Sequence, residues 1–143
     1  MSSRMDASTV TVVHAPLSGI ALGYDRSRFV NLSDFADELS CPICLGIFRE
    51  PVTTSCRHVF CKQCIKLWSL KSMTCPVDRK RIRKLHKPPV LLENILSKLR
   101  IRCEFEEFGC SKVVALNSFD EHLKCCDFKP KGTFKRLFHW IFK

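Results

Sequence analysis

The sequence predicts a small α+β fold that has little apolar core of its own. The chain has 143 residues, about the length of one ordinary domain. Ten cysteines lie between positions 41 and 126, many more than a core of this size needs for packing. Short strand-like and helical patterns lie between these cysteines. Together these observations indicate short elements that are linked through cysteine chemistry.

The cellular compartment decides whether the cysteines form disulfides or bind metal. The apolar stretch after Ser8 is interrupted by His14 and Pro16, which makes a poor secretory signal. The sequence contains no run of 18 or more apolar residues, so it predicts no membrane-spanning helix. We therefore expect the cytoplasm, with the nucleus as the alternative. In such a reducing compartment, cysteines at this density favour metal ligands over disulfides.

The segment before the first cysteine contains few structural signals. Residues 1–30 have no sustained helical or alternating pattern, and we expect a flexible leader there. Ser33 is a candidate helix N-cap, and Phe35 and Leu39 lie four residues apart. This spacing predicts one helical turn that leads into the first cysteine.

Eight potential metal ligands follow in a regular order. The pattern is Cys41-x2-Cys44-x11-Cys56-x-His58-x2-Cys61-x2-Cys64-x10-Cys75-x2-Asp78. Two residues between ligands allow a tight turn to direct both side chains to one tetrahedral zinc ion. Eight ligands are enough for two four-coordinate sites. Because the segment has few apolar residues, we expect zinc to supply much of its folding free energy.

Short elements are predicted between the ligand pairs. Residues 51–54 and 59–60 have the pattern of a hairpin, and residues 62–71 that of one helix. Ile65 and Trp68 lie on the apolar side of this helix. A core position suits Ile65 better than it suits Trp68.

The order of the eight ligands resembles a RING finger, here residues 31–87, in which ligand pairs alternate between two zinc ions. The resemblance implies that the first zinc is bound by four cysteines: Cys41, Cys44, Cys61 and Cys64. The second zinc then has a mixed set of ligands: Cys56, His58, Cys75 and Asp78. Aspartate replaces the commoner cysteine or histidine at the last position, as in the tumour-necrosis-factor-receptor-associated (TRAF) factors. A carboxylate oxygen is an ordinary zinc ligand, and the alternative is a three-ligand zinc with an open position.

The RING resemblance also implies a function. RING-type E3 ubiquitin ligases bind a ubiquitin-charged conjugating enzyme (E2) and promote ubiquitin transfer to a substrate lysine, without a covalent intermediate on the ligase. The resemblance places Ile43, Trp68 and Pro76 in the groove that binds the E2, whereas the other interpretation is that they are core residues. It gives Arg79 the role of bridging the E2 and its ubiquitin, although Arg79 is also the first residue of a basic run, 79–87. For the rest of this run, a solvated edge is favoured over binding of nucleic acid, an acidic partner or a nuclear-import receptor.

A boundary and a linker follow the first cluster. Pro88 and Pro89 cannot continue a helix. After them, apolar residues recur at helical spacing over residues 91–101. We expect a linker helix within residues 88–102.

A second, sparser cluster predicts a third zinc site. Its ligand types are Cys103, Cys110, His122 and Cys126, and the segment, residues 103–128, resembles a TRAF-type zinc finger. Cys125 and Cys126 both share a helix face with His122, so periodicity does not choose between them. The resemblance implies Cys126. Three zinc ions are therefore expected in total.

Four motifs strengthen the resemblance to RING ligases that carry TRAF-type fingers. They occur in the same order as in that family: GYDRSRF at residues 23–29, CPVDR at 75–79, NILSKLRIRC at 94–103 and FGCSKVV at 108–114.

Positive charge is concentrated in the second half of the chain. Residues 79–143 have a net charge of +9, against +1 for residues 1–78. In the tail, residues 129–143, four apolar residues recur at helical spacing with basic residues between them: Phe134, Leu137, Phe138 and Ile141. This pattern predicts a short basic amphipathic helix. It suits peripheral contact with an anionic membrane, and equally contact with the second finger or with a partner protein.

Other functions stay open at this point. The chain also fits a non-catalytic zinc scaffold that binds protein partners through the second finger and the tail. Nucleic-acid binding by the basic half is the less favoured alternative. The sequence does not identify the substrate or the cognate E2, and it leaves open whether the chain forms a homodimer.

Overall fold

A computed structural model describes residues 22–32 and 34–130, with Phe35 described by its backbone alone. The small α+β fold class that the sequence predicts is confirmed. The described part contains three helices: α1 Lys62–Ser69, α2 Val90–Lys98 and α3 Phe119–Cys125. It also contains five strands: β1 Pro51–Thr54, β2 Val59–Cys61, β3 Leu85–His86, β4 Arg100–Arg102 and β5 Val113–Ala115.

The first cluster is built on a three-stranded antiparallel sheet in the order β2-β1-β3. The predicted hairpin pairs Pro51 with Cys61 and Thr53 with Val59. Strand β3 was not predicted, and it pairs with the other edge of β1. Its backbone belongs to the basic run, in which Ile82 is nonetheless buried. The run is therefore a charged sheet edge that follows a buried anchor, and edges of this kind resist pairing with other chains.

Helix α1 follows β2 without a loop. It begins at Lys62 and ends at Ser69, two residues earlier than predicted. Cys64 and Ile65 are buried on its inner side, so a metal-ligand position and a core position share one face. Trp68 is 36% exposed, in agreement with its poorer fit to the core.

Helix α2 is shorter than the sequence indicates. We expected a helix over residues 91–101, but α2 ends at Lys98 and Leu99 has an extended backbone. Residues 100–102 instead form β4, which pairs with β5 and places Ile101 at 0% exposure. Strand pairing and burial of Ile101 outweigh the local helical spacing, because helix propensity is a weak prior beside tertiary packing.

The expectation of a flexible leader is wrong for residues 22–30. Tyr24 exchanges two backbone hydrogen bonds of 2.9 Å with Ile47, and its side chain is buried. Phe29 is also buried and forms a bridge with Ile101. We call residues 24–31 the N-terminal strap, because they cross from the first cluster to the second. Two isolated aromatic residues have no periodicity, so the sequence pattern could not indicate this packing.

Polar contacts hold the far end of the strap. The side chain of Asn31 donates to the carbonyl of Lys98 at 3.2 Å and accepts from the N–H of Arg100 at 2.8 Å. Val30 N–H donates to the carbonyl of Arg100 at 3.0 Å. These bonds satisfy backbone groups at the end of α2, where the helix leaves carbonyls without internal partners.

One core joins the two cysteine clusters. The ring of Tyr24 lies edge-on to that of Phe119, with centroids 5.7 Å apart. Arg49 stacks over Tyr24 at 4.8 Å and forms an ion pair with Asp120 at 3.0 Å. The apolar core of the first cluster extends through Leu116 and Phe119 into the second finger, and Leu123 packs against both this core and the smaller cluster of Cys103, Cys110 and Cys126. The linker is therefore not a spacer, since α2 contributes Leu96 to this shared core.

Some sequence predictions fall outside the described residues. Ser33, the side chain of Phe35, most of the leader (residues 1–21) and residues 131–143 of the tail are among them. A single helical turn, Asp34–Ala36, lies where one was predicted. Among the described residues, no helix has both the length and the apolar character needed to cross a membrane.

Adjacent residues of the strap give a matched test of this packing. Phe29 is 7% exposed and Val30 is 46% exposed. Because Phe29→Ala leaves a cavity between the two clusters, we expect it to lower the free energy of unfolding by about 3 kcal/mol. Val30→Ala should change it by less than about 0.5 kcal/mol. Urea denaturation of the zinc-loaded protein measures both values, and equal effects would contradict the packing of the strap.

Candidate metal centres

The structure brings together the same three sets of four side chains that the sequence analysis assigns to zinc. In each set, the potential ligand atoms all lie within 4.8 Å of one another. The sets are Cys41, Cys44, Cys61 and Cys64; Cys56, His58, Cys75 and Asp78; and Cys103, Cys110, His122 and Cys126. All ten cysteines are free thiols. Cys125 is the one cysteine that lies outside the three sets.

The first set combines a loop with the junction of β2 and α1. In the loop, Cys41 N–H donates to the carbonyl of Gly46, and Leu45 N–H donates to the carbonyl of Cys41, both at 2.8 Å. Leu45 has a left-handed backbone with φ of 61°. We call this arrangement a knuckle. It turns the chain so that the first and fourth residues direct their side chains to one point.

The second set contains a copy of the same knuckle. Cys75 N–H donates to the carbonyl of Lys80 at 2.8 Å, and Arg79 N–H donates to the carbonyl of Cys75 at 2.9 Å. Arg79 has φ of 61°, the same value as in the first knuckle. Asp78 therefore occupies the position that Cys44 has in the first knuckle. This equivalence favours Asp78 as the fourth ligand over a three-ligand site with an open position.

The sulfur separations fit a tetrahedral zinc ion. Bonds of about 2.3 Å at tetrahedral angles place two sulfurs about 3.8 Å apart. The separation of Cys44 Sγ and Cys61 Sγ is 3.9 Å, and that of Cys103 Sγ and Cys126 Sγ is 3.8 Å. These values are much longer than the S–S bond of a disulfide, which is about 2.0 Å.

The histidine separations fit zinc as well. A Zn–N bond of about 2.0 Å and a Zn–S bond of about 2.3 Å place nitrogen and sulfur about 3.5 Å apart. His58 Nδ1 lies 3.4 Å from Cys56 Sγ and 3.5 Å from Cys75 Sγ. His122 uses the other nitrogen, and its Nε2 lies 3.7 Å from Cys110 Sγ and 3.1 Å from Cys103 Sγ, one on each side of the expected value. Both donor sets therefore fit zinc, which accepts thiolate and imidazole ligands.

The carboxylate of Asp78 is oriented for the same role. Its Oδ2 lies 3.6 Å from His58 Nδ1, and its Oδ1 accepts the N–H of Lys80 at 3.1 Å. Partial desolvation raises the pKa of Asp78, but the Lys80 amide and the nearby Cys56 and Cys75 thiols lower it, and the net pKa lies below its ordinary value. The carboxylate is thus ionised, as a zinc ligand must be.

The thiols need a nearby cation to ionise together. Within the first set, hydrogen bonding to Cys41 raises the pKa of both Cys61 and Cys64. In the third set, burial raises the pKa of Cys103 to about 12, although the Lys112 amide lowers that of Cys110. Four thiolates therefore do not form at neutral pH without a compensating positive charge. A divalent zinc ion supplies that charge and holds the thiolates deprotonated.

The third set is assembled by β4, a tight turn and α3. Cys103 follows β4, and Cys110 follows Gly109, whose φ of 105° requires glycine. Cys126 lies in the set just after the end of α3. Cys125 is exposed, and its thiol donates to the carbonyl of Glu121 at 3.3 Å. The structure thus brings Cys126 into the set and leaves Cys125 outside it.

The residues assigned to the E2 groove lie close to the two knuckles. Ile43 is in the first knuckle and Pro76 in the second, and both are half-buried. Ile43 also packs against the core. The indole N–H of Trp68 donates to the carbonyl of Thr74 at 2.7 Å, which fixes the ring beside the second knuckle.

Sequence reasoning missed two apolar residues of the knuckles. Leu45 and Val77 are both about half exposed. Leu45 directly follows the Cys41-x2-Cys44 turn, and Val77 lies within the Cys75-x2-Asp78 turn. An apolar residue inside or directly after such a turn is the signal that could have identified them.

Arg79 lies at the surface beside the second knuckle. Its side chain is exposed, and among the described residues it has no ion-pair partner. Its left-handed backbone is a property of the knuckle, because Leu45 has the same conformation. Any argument for a functional role therefore depends on the guanidinium group alone.

Comparison with known proteins shows which protein family the first cluster matches. Residues 41–76 match the family of RING-type zinc fingers. The chain contains a RING-type zinc finger. Together with the names of its relatives, this match shows that the chain resembles RING-type E3 ligases.

Three curated relatives extend the similarity beyond the RING finger. The chain is 44% identical over 113 residues to E3 ubiquitin-protein ligase NRDP1 of Homo sapiens, covering 77% of this chain and 35% of that protein. It is 36% identical over 111 residues to E3 ubiquitin-protein ligase PDZRN3 of Homo sapiens, covering 76% and 10%. It is 33% identical over 110 residues to PDZ domain-containing RING finger protein 4 of Homo sapiens, again covering 76% and 10%.

The chain spans about a third of the length of the NRDP1 proteins that it matches. The order of the four sequence motifs indicates a resemblance to one particular ligase, the neuregulin-receptor degradation protein, and the match to NRDP1 confirms it. The RING finger and the Cys/His sets together indicate zinc binding.

Adjacent cysteines give a matched test of the third site. Because Cys126 lies in the third set and Cys125 does not, Cys126→Ser should lose one bound zinc ion and Cys125→Ser should lose none. Native mass spectrometry of both variants beside the wild type measures the number of zinc ions. Two ions in the wild type, or a loss in Cys125→Ser alone, would show that the assignment of the third site is wrong.

The role of Asp78 is tested by removing or exchanging its ligand atom. Asp78→Ala should weaken zinc binding at the second site by at least about tenfold, because three ligands remain. Asp78→Cys should retain the zinc, since the first knuckle has cysteine at this position. Competition with a chromophoric chelator measures the affinity. If Asp78→Ala bound zinc as tightly as the wild type, the carboxylate would not be a ligand.

Proposed function

We propose that the chain acts as a RING-type E3 ubiquitin ligase. It binds a ubiquitin-charged E2 and promotes transfer of ubiquitin to a lysine of a substrate protein. The observation that carries this proposal is the RING-type finger at residues 41–76, within a chain that is 44% identical to a protein named as a ubiquitin ligase. Relatives named PDZRN3 carry the same designation.

The apolar surface around the knuckles is the proposed E2-binding groove. Ile43, Trp68 and Pro76 border it, and the hydrogen bond to Thr74 holds Trp68 in place. An ordered indole loses little conformational entropy when a partner binds, which suits a binding site. Exposed Leu45 and Val77 extend the apolar area that a partner can cover.

Arg79 is proposed to bridge the E2 and its linked ubiquitin. Its guanidinium group is exposed next to Pro76 and is not engaged by a carboxylate among the described residues. A planar guanidinium has five N–H donors, so it can donate to backbone carbonyls of two proteins together. Such contacts would restrict the motion of ubiquitin relative to the E2.

Rate acceleration in this mechanism comes from positioning. Within the described part of the chain, nine cysteines lie in the ligand sets, and Cys125 is on α3 of the second finger. None of them is placed as a nucleophile for ubiquitin. The ligase instead holds the reactive thioester of the E2 in a geometry that a lysine amine can attack. Restricting a flexible reactant in this way lowers the entropic part of the barrier.

The bound zinc ions would supply structure and no reaction step. Four-ligand sites leave no position for water or substrate, as is usual for structural zinc. The ligands fix both knuckles, and the knuckles fix the groove.

Single-turnover discharge tests the proposal directly. A charged E2 is mixed with free lysine and with zinc-loaded protein, across a panel of E2 enzymes. The wild type should accelerate loss of the thioester, and Ile43→Ala and Arg79→Ala should each reduce this acceleration by about tenfold or more. Leu91→Ala is the matched control, since Leu91 is an exposed apolar residue of α2, outside the groove.

The variants separate catalysis from folding. Zinc content and thermal stability are measured for each protein, and the interpretation holds where both equal the wild-type values. If no E2 were discharged faster by fully zinc-loaded protein, the ligase proposal would be wrong. A non-catalytic scaffold would then be the better account.

A further inference from the structure

Aromatic side chains form an exposed face on the second finger. Phe108 is 47% exposed and Phe128 is 44% exposed. The ring of Phe128 covers Gly109 so closely that a Cβ there would lie 3.1 Å from Cε1 of the ring. Phe105 lies beside Phe108, with ring centroids 6.4 Å apart. The end of the finger and its first turn therefore share one aromatic surface.

Four carboxylates lie in sequence beside the rings of this surface, and Lys129 is the basic residue that directly follows Phe128. Glu104, Glu106 and Glu107 are exposed on the same turn, and Asp127 directly precedes Phe128. None of the four carboxylates has an ion-pair partner within residues 22–32 and 34–130. We call these four residues, with Phe105, Phe108 and Phe128, the acidic aromatic face. A ligand that suits it must be both basic and apolar.

The C-terminal tail has that composition. Residues 103–128 contain six carboxylates and two lysines, whereas residues 129–143 contain five basic residues and no acidic one. The basic character of the second half of the chain is thus interrupted by an acidic finger. The tail also contains six large apolar side chains: Phe134, Leu137, Phe138, Trp140, Ile141 and Phe142.

The tail also starts next to the face. Pro130 is the last described residue, and it is two positions after Phe128. A short tether of this kind gives an effective concentration of the order of millimolar, so that even a weak contact is largely formed. Attraction between opposite charges adds to the burial of apolar area.

We propose that residues 131–143 bind to the acidic aromatic face of the second finger in the same chain. The exposed apolar residues of α2, Val90 and Leu91, are a poorer site, because Glu93 is the only carboxylate on that helix. In the bound state the tail covers the face and excludes other basic, apolar partners. Its basic side chains are then less available to an anionic membrane.

Trp140 reports on this contact. The chain has two tryptophans, so Trp68→Phe leaves Trp140 as the only one. In this zinc-loaded full-length background, Trp140 should emit at shorter wavelength and be quenched less by acrylamide than in the isolated peptide of residues 129–143. Reversing three charges, with Glu104→Lys, Glu106→Lys and Glu107→Lys, should lower the ratio of bound to free tail by about tenfold.

Two further variants serve as controls. The first control makes the same change in net charge at exposed positions outside the face, with Asp34→Lys, Glu38→Lys and Glu93→Lys. This variant should leave Trp140 shielded. Lys135→Glu with Arg136→Glu, added to the triple reversal at the face, should restore the shielding. Zinc content is measured for every variant, so that a loss of shielding is not confused with a loss of folding.

Four results would overturn the proposal. The first is a Trp140 that is as accessible in the full chain as in the peptide. The second is shielding that survives the triple reversal, which would mean that the tail binds another surface of the chain. The third is shielding that disappears on dilution, which would mean that the tail binds a second copy of the chain. The fourth is shielding only when vesicles of phosphatidylcholine and phosphatidylserine are added, which means that the tail binds an anionic membrane.

Discussion

Coordination of zinc by buried thiols is the interaction on which the rest of this structure depends. The strands have two to four residues and the helices seven to nine, too short to be stable in isolation. The cysteines occupy the buried positions that a larger protein would fill with apolar side chains. Contact with Cys41 raises the pKa of Cys61, and burial raises that of Cys103, so the thiols of a set ionise together only beside a cation. We therefore expect metal binding and folding to be one process in this chain.

The second constraint is the shared core between the RING finger and the second finger. Strap residues Tyr24 and Phe29 contact the RING finger at Ile47 and strand β4 at Ile101, which pairs with β5 of the second finger. Arg49 connects the same two units through its ion pair with Asp120. The second finger therefore presents its surfaces in a fixed position relative to the proposed E2 groove.

The features that local spacing encodes could be predicted from the sequence. A ligand-x2-ligand turn needs no distant partner, so each pair could be identified at once, and the β1–β2 hairpin likewise lies between two such turns. The strap could not be predicted, because Tyr24 and Phe29 are buried by residues 23 and 72 positions away. Strands β3 and β4 were missed for a related reason. Their sequences are rich in Arg, Lys and His, and only the pairing with β1 and β5 gives them structure. The assignment of each ligand pair to one zinc site or the other also required the family resemblance, because spacing identifies the pairs but not the site that each pair joins.

A zinc titration of the reduced, metal-free protein tests the central claim, that metal binding and formation of the shared core are one process. Near-ultraviolet circular dichroism reports the packing of the aromatic side chains, including Trp68 and Tyr24, and amide hydrogen exchange reports the strands. The account predicts a weak aromatic signal and fast exchange without zinc, with both changing together until three equivalents are bound. A metal-free protein that already has the aromatic signal and protected β4–β5 amides would contradict it.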